Sequence, residues 1–376
     1  MGTVECGTDP LDSYSGVMHL DRLVTELGGS GIDVLLVSPG PDLRYLIGYD
    51  AVPLERLTLL VARAEGEATL FVPGLERSEA ERTPFARAGG RVVSWGETDD
   101  PWALVRSAVG SPRSIGLDPQ MWASRVLRVQ AEWPDATVAA PPVVAELRSV
   151  KGDDEIRALQ EAGEAIDRVH RRIPGFLRVG RTEREVAGDI ADAILDEGHS
   201  RVDFVIVASG PNGASPHHSV SDRVIERGDP IVIDIGGTMP SGYCSDCTRV
   251  YVIGDAPVEY VEHYSALLEA QERAVAAVAP GVTCEAIDAV ARTHLTEAGL
   301  GEAFIHRTGH GIGLETHEDP YIVTGNAMAL GPGMAFSVEP GFYLEGRFGA
   351  RIEDIVVCVD RGAVRLNTVS RDLCVI

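Results

Sequence analysis

Lysine is nearly absent. Lys151 is the only one among the 33 basic residues of a 376-residue chain. Schiff-base chemistry therefore has one candidate, in a polar stretch expected to be exposed. Genomic composition bias is the simplest cause. Positive charge of any kind is scarce, with 57 acidic residues and a formal net charge of −24. A basic footprint for nucleic acid is thereby excluded, and an anionic membrane surface would repel the chain. A disulfide framework is missing too. The six cysteines lie scattered at 6, 244, 247, 284, 358 and 374, in a chain long enough to bury a core without cross-links. "CSDC" (244–247) has the C-x-x-C spacing, but redox motifs of that kind open a helix, and this one falls in a β-like run with Asp246 inside it. No apolar run reaches the ~18 residues of a membrane-spanning helix. The start, "MGTVECGTDP", has no basic opening, no apolar leader core, and Cys6 where myristoylation wants Ser or Thr. A cytoplasmic location is expected. The role of residues 1–17 is left open.

What is present is an ordinary globular balance, 44% hydrophobic and 24% charged, with length enough for two domains. "MHLDRLVTELGGSGIDVLLVSPG" reads as a helix, a glycine stop and a buried strand. "LTLLVARAEGEATLFVP" reads as a hairpin turning at "AEGE". "GRVVSW" and "RSIGLD" add short strands to this small α/β domain. Character shifts after a polar stretch from Arg148 to Asp154. Ile156, Leu159, Ala162, Ile166, Val169 and Ile173 then recur at helical steps. The boundary is placed near residue 149, giving domains 1–148 and 149–376. The second domain opens with helices, one of them carrying a Thr182/Glu185 capping box and stopping at Gly198. Strands follow ("VDFVIVASG", "DPIVIDIGG", "CSDCTRVYVIG"), then helices near 257–279 and 283–298, then strands ("MAFSVEPGFYL", "ARIEDIVVCVD"). The order suggests two similar halves, without a convincing sequence repeat.

Several acids stand where acids are costly. Asp234 interrupts "PIVIDIGG", Asp246 follows in the next strand, and Glu339 and Glu353 interrupt "AFSVEPG" and "RIEDIVVCV". A buried carboxylate is unfavourable unless paired or bound to metal. One such acid usually marks an edge, a turn or a salt bridge. Four of them, in two pairs of strands flanking a glycine-rich histidine loop, are a different matter. "GHGIGLETHE" (309–318) lacks the G-K-[ST] ending of a phosphate loop, and its histidines, His310 and His317, are not the i, i+4 pair of a helical zinc motif. A metal ligand followed by a second, substrate-facing histidine fits better. Four carboxylates and one imidazole make a hard, oxygen-rich set suited to two divalent cations such as Mn2+.

These residues resemble the pita-bread metallopeptidases, the fold of methionine aminopeptidase, aminopeptidase P and Xaa-Pro dipeptidase (prolidase). The matching pieces are "SGPNGASPHH" (209–218), "IDIGG…GYCSDCTR" (233–249), "GHGIGLETHE", "SVEPG" (337–341) and "RIED" (351–354). "PGPDLRYLIGY" (39–49) resembles the N-terminal domain of the prolidase, aminopeptidase P and creatinase branch. The resemblance implies an α+β chain, a C-terminal pita-bread fold preceded by a smaller α/β creatinase-like domain. It implies that Asp234 chelates one ion, that Asp246 and Glu353 bridge two, and that His310 and Glu339 complete the second, with Glu339 also shuttling a proton. His217, rather than His218, would contact the substrate, and His317 would hydrogen-bond the peptide near the scissile bond. Arg351, two positions before Glu353 and so on the same strand face, would hold the bridging acid or meet a substrate carboxylate. The family usually has its two aspartates one residue closer together, a difference that the "GTMPSG" turn can absorb. The expected ion is Mn2+, with Co2+ and Zn2+ as alternatives. The expected substrates are proline-containing dipeptides or short peptides, and the expected assembly is a homodimer. The expected activity is Xaa-Pro dipeptidase, with aminopeptidase P as the runner-up. A creatinase-like hydrolase, which works without metal, and a non-catalytic peptide-binding module both disagree with a full ligand set.

Overall fold

The computed structural model describes residues 19–376; Cys6 and the open question of residues 1–17 lie outside them. Backbone contacts divide the chain into two compact units, Met1–Arg148 and Ser149–Ile376.

The first unit is a six-stranded sheet wrapped by helices. Its chain order is α1 (Leu20–Ser30), β1 (Val34–Val37), α2 (Pro41–Ile47), β2 (Leu59–Arg63), β3 (Ala68–Pro73), α3 (Arg77–Ala80), α4 (Pro84–Arg87), β4 (Arg91–Trp95), α5 (Pro101–Val109), β5 (Ser114–Leu117), α6 (Ala123–Glu132) and β6 (Thr137–Ala139). The strand order is β4-β3-β2-β1-β5-β6. The "AEGE" segment joins β2 to β3 as an antiparallel hairpin. Gly31, at φ 75°, stops α1 in the left-handed region, where glycine carries no Cβ penalty. A further helix, α7 (Val143–Ser149), closes the unit. Within it Arg148 is buried against Asp42 at 2.8 Å, so the expected polar linker begins with a buried ion pair instead.

The second unit opens with α8 (Asp153–Arg172) and α9 (Glu183–Asp196), then β7 (Arg201–Ser209), β8 (Pro230–Thr238) and β9 (Cys244–Val252). The helices α10 (Val258–Ala277) and α11 (Cys284–Glu297) follow. The remaining strands are β10 (Gly309–Gly311), β11 (Glu318–Ile322), β12 (Ala335–Val338), β13 (Gly341–Leu344), β14 (Phe348–Arg351), β15 (Asp354–Val359), β16 (Gly362–Arg365) and β17 (Cys374–Val375). They form sheets ordered β17-β9-β8-β7 and β11-β10-β12-β15-β16, with β13-β14 as a separate ribbon. The two expected long strands are thus each broken in two. Pro340, which has no N–H for a ladder, follows Glu339 at one break. Ile352 and Glu353 form the other.

Alternation along β8 and β9 aims the acids. Ile231, Ile233 and Ile235, with Cys247 and Tyr251, share a core with Ile166, Val169, Val186 and Ile190 of α8 and α9. Each isoleucine so buried contributes about 1.5–3 kcal/mol. The opposite parity therefore faces the other side: Asp234 on β8, Asp246 and Thr248 on β9. Pairing runs without a register shift from Pro230↔Val252 to Thr238↔Cys244, so any length difference in this hairpin falls in the loop 239–243. No helix among the described residues is long and apolar enough to cross a membrane.

Candidate metal centre

Five expected ligands converge. Asp234, Asp246 and Glu353 form one cluster that could hold a cation, His310, Glu339 and Glu353 a second, and Asp246, His310 and His317 a third. Asp234 and Asp246 stand inside intact strands. Glu339 and Glu353 stand just beyond strand ends, at the two breaks, not within strands as the sequence suggested. His310 occupies the centre of β10, and both its neighbours must be glycine. A Cβ on Gly309 would collide with the Ser337 carbonyl, and one on Gly311 with the Asp319 carbonyl. The glycines of "GHGIG" thus let β10 pack closely; they cradle no phosphate.

The electrostatics of the cluster call for a cation. Burial and the neighbouring Glu353, Asp234 and Glu339 hold the Asp246 carboxyl well above the usual carboxylate range. Burial, then Glu339 and Asp234, do the same to Glu353. Burial pushes Glu339 up to about 7. The same burial, helped by His317, pulls His310 down to about 3, so its ring is neutral. His310 Nδ1 lies 3.1 Å from the Gly311 carbonyl oxygen, which only accepts, so Nδ1 carries the proton. The lone pair on Nε2 then faces Glu339 Oε1 at 3.2 Å and Asp246 Oδ2 at 3.7 Å. Asp234 Oδ1, Asp246 Oδ1 and Glu353 Oε1 are buried without a hydrogen-bond partner. Acceptors facing acceptors, with orphaned carboxylate oxygens between them, fit divalent cations. The cysteines of "CSDC" take no part: both are buried on β9, and burial raises both thiols.

Arg351 holds this acid cluster together. It is buried, and its Nη2 donates to Asp234 Oδ2. Nη1 donates to the Tyr343 hydroxyl at 2.8 Å. Nε donates to Thr248 Oγ1 at 3.1 Å, and that hydroxyl donates to Glu353 Oε2 at 2.7 Å. The expected link from Arg351 to Glu353 therefore runs through a threonine, while the direct ion pairs go to Asp234 and, at 3.7 Å, to Glu339 Oε2. Tyr343 sits 2.9 Å from His306 Nε2, and His306 Nδ1 lies 2.7 Å from the Arg307 carbonyl oxygen. Arg351, Tyr343 and His306 thus form one donor–acceptor chain.

A cavity of about 870 Å3 opens over the cluster, lined by Phe204 and Ile206, by His217 and by His306, Arg307 and His317. His317 lies beside His310, ring centroids 3.9 Å apart and the rings tilted by 41°. His218 turns away from the cavity: its Nε2 donates to Glu183 at 2.8 Å. Arg307 Nη2 lies 3.4 Å from His317 Nδ1, and its guanidinium lies over the Tyr321 ring at 4.5 Å. Arg307 makes no ion pair among the described residues. Thr248, Tyr343 and Arg307 escaped the sequence reading. Only Thr248 had a clear signal, being two residues after Asp246 on one strand and so on the same face.

Lys151 is a correction. It is buried, not exposed, and its ammonium lies 2.7 Å from Glu318 Oε1. Schiff-base chemistry has no accessible amine there. The pair fastens the end of the 309–318 loop next to His317.

Comparison with known proteins decides the family. The model of metallopeptidase family M24 matches residues 157–360. The chain belongs to this family. A creatinase/prolidase N-terminal domain matches residues 19–150, so this M24 chain joins a pita-bread domain to a creatinase-type N-terminal one. A probable dipeptidase PepE of Mycobacterium tuberculosis is 50% identical, over 98% of this chain and 99% of its own. An Xaa-Pro dipeptidase of Lactobacillus delbrueckii subsp. lactis is 35% identical, over 96% and 99%. The crystal structure of a prolidase from Thermococcus sibiricus superimposes with a TM-score of 0.88 at 38% identity, covering 95% of this chain and 98% of that one. The M24 chain is accordingly a metallopeptidase of the prolidase-like dipeptidase group.

Proposed function

We propose that this enzyme hydrolyses Xaa-Pro dipeptides with two divalent cations held by Asp234, Asp246, His310, Glu339 and Glu353. The observation that carries this reading is the pair of ligand clusters sharing Glu353 beneath a cavity whose wall offers Arg307 without an ion-pair partner among the described residues. A guanidinium so placed suits the free carboxylate of a dipeptide. The Lactobacillus relative named for Xaa-Pro dipeptides supports the substrate class.

Asp234 would hold one ion, Asp246 and Glu353 would lie between the two, and His310 and Glu339 would hold the other. When bound, the pair supplies Lewis acidity, lowering the pKa of water and polarising a carbonyl. The chain's own groups do the rest. Glu339 takes the proton of the attacking water and passes it to the proline nitrogen, which must be protonated as the C–N bond breaks. His217 and His317 hydrogen-bond the peptide from the cavity wall. Arg351, committed to Asp234, Thr248 and Tyr343, keeps the acids in place without touching substrate. Mn2+ is the first choice for so oxygen-rich a set, ahead of Co2+ and Zn2+. A cytoplasmic homodimer belongs to the same reading.

The test is hydrolysis of Ala-Pro beside Ala-Pro-Ala by metal-stripped protein, with and without Mn2+. Metal-dependent cleavage of the dipeptide alone is expected. Preference for the tripeptide would make the enzyme an aminopeptidase P. Cleavage of neither by metal-loaded protein would sink the Xaa-Pro assignment.

A further inference from the structure

Glu183 is the most heavily hydrogen-bonded carboxylate around the cavity, and it touches neither cavity nor ligands. It is fully buried at the first position of α9. Its Oε1 accepts from the Ser209 amide and hydroxyl, both at 2.8 Å, and from Asn212 Nδ2 at 3.0 Å. Its Oε2 accepts from His218 Nε2 at 2.8 Å, the Ser221 hydroxyl at 2.7 Å and the Ser221 amide at 3.2 Å. Every one of these donors belongs to a single stretch, 209–221. That stretch carries Ser215, Pro216 and His217 to the cavity wall. Burial acts to raise the carboxyl, but the bonds from Ser209, Ser221, Asn212 and His218 outweigh it and hold Glu183 down to about 2. It is therefore an anion throughout the working range, and all its donors stay engaged.

We propose that Glu183 and His218 form a clasp that positions His217. The tandem histidines divide the work. His217 faces the cavity, and His218, its neighbour, anchors the backbone from behind. The Pro216 carbonyl also lies within reach of Arg351 Nη1 at 3.4 Å, so the His217 segment is gripped on both sides. With the His218 bond gone, the segment keeps its fold through five remaining donors but loses the restraint nearest the working ring. His218 is thus a positioning residue that never meets substrate. The proposal rests on His217 being substrate-facing.

The test is a double-mutant cycle on Ala-Pro hydrolysis at equal metal content, using His218→Ala, His217→Ala and both together. His218→Ala is expected to lower kcat by ~10-fold when His217 is present, since small misplacements of a working group are costly. Where His217 is already absent, the same change is expected to cost less than about 2-fold. His218→Gln, whose amide still donates to Glu183, should restore most of the loss. Equal losses in both backgrounds, or no loss beside an intact His217, would overturn the clasp. A second readout needs no substrate: with 13C-labelled histidine, the His217 ring should give one sharp resonance in the parent and a broadened or doubled one in His218→Ala. An unchanged resonance would overturn the clasp as well. If the parent fails to cleave Ala-Pro, the dipeptide reading alone falls, and the resonance still decides the clasp.

Discussion

The two halves of the second unit repeat one plan with different hardware. Gly180, Thr182 and Gly198 around α9 recur at the same spacing as Gly281, Thr283 and Gly299 around α11. Both threonines cap their helices, and all four glycines adopt positive φ. Each helix also offers a buried acid to a histidine-bearing segment. Glu183 grips 209–221, while Asp288 of α11 accepts from the hydroxyl of Thr308, just ahead of His310, at 2.8 Å and from that of Thr324, beyond it, at 2.7 Å. The ligands diverge. The first half supplies aspartates from unbroken strands; the second supplies glutamates from strand breaks. A short side chain needs a rigid backbone already at the right distance. A longer one tolerates a backbone that bends away, and bending is what would leave Glu339 room for both roles proposed for it, binding and proton transfer.

The largest test of that division compares Asp234→Asn with Glu339→Gln. Normalised to bound metal, Glu339→Gln should lower kcat by roughly 10²–10⁴, the usual worth of a general base. Asp234→Asn should act mainly on metal content, measured by elemental analysis. Equal losses per bound ion would erase the distinction between a binding half and a working half.

The 309–318 loop of the second half leans on Lys151. Lys151→Met should destabilise the protein by about 3–5 kcal/mol, because it removes the ammonium from a buried ion pair with Glu318. Urea unfolding measures this, and a loss below about 1 kcal/mol, the level of an exposed pair, would show the bridge to be idle.

Titration separates the site acids from the clasp. In metal-free protein Glu339 titrates at about 7 against an ordinary 4.5. The folded state binds the extra proton, so this stabilisation is full below about 4.5 and is lost as pH rises through about 7. Glu183 runs the other way. At about 2 against 4.5, it stabilises above about 4.5 and fails as pH falls through about 2. Urea midpoints across pH should therefore show Glu339→Gln flattening the neutral limb and Glu183→Gln flattening the acid limb. A swap of those limbs would overturn the assignment.

The smallest effect concerns the caps. Thr182 has a reciprocal partner, since Glu185 Oε2 accepts from the Thr182 amide at 2.8 Å. Thr283 caps only through the Ala286 amide, at 3.3 Å. Thr182→Ala should cost about 1 kcal/mol, and Thr283→Ala less, by thermal unfolding.

What the sequence made legible follows from local pattern. Acids standing in strand runs marked Asp234 and Asp246, capping signals placed α9, and a glycine stop placed the end of α1. What stayed hidden depends on contacts far apart in the chain. Lys151 reads as a linker residue until Glu318 folds over it. Tyr343 reads as a strand aromatic until the break at Glu339 turns it toward Arg351. Arg307 reads as one arginine among many until the cavity forms beside it. The repeat around α9 and α11 survives only in turn and cap residues, because the two helices pack against different cores and share little else.

The buried Lys151 also makes the protein its own reporter. No other side chain in the sequence carries a primary amine, and this one is shielded in the folded state. An amine-acylating reagent will therefore modify a side chain only in molecules whose Lys151–Glu318 pair has opened. The acylation rate reads out, without an introduced probe, how often the loop beside His317 comes undone.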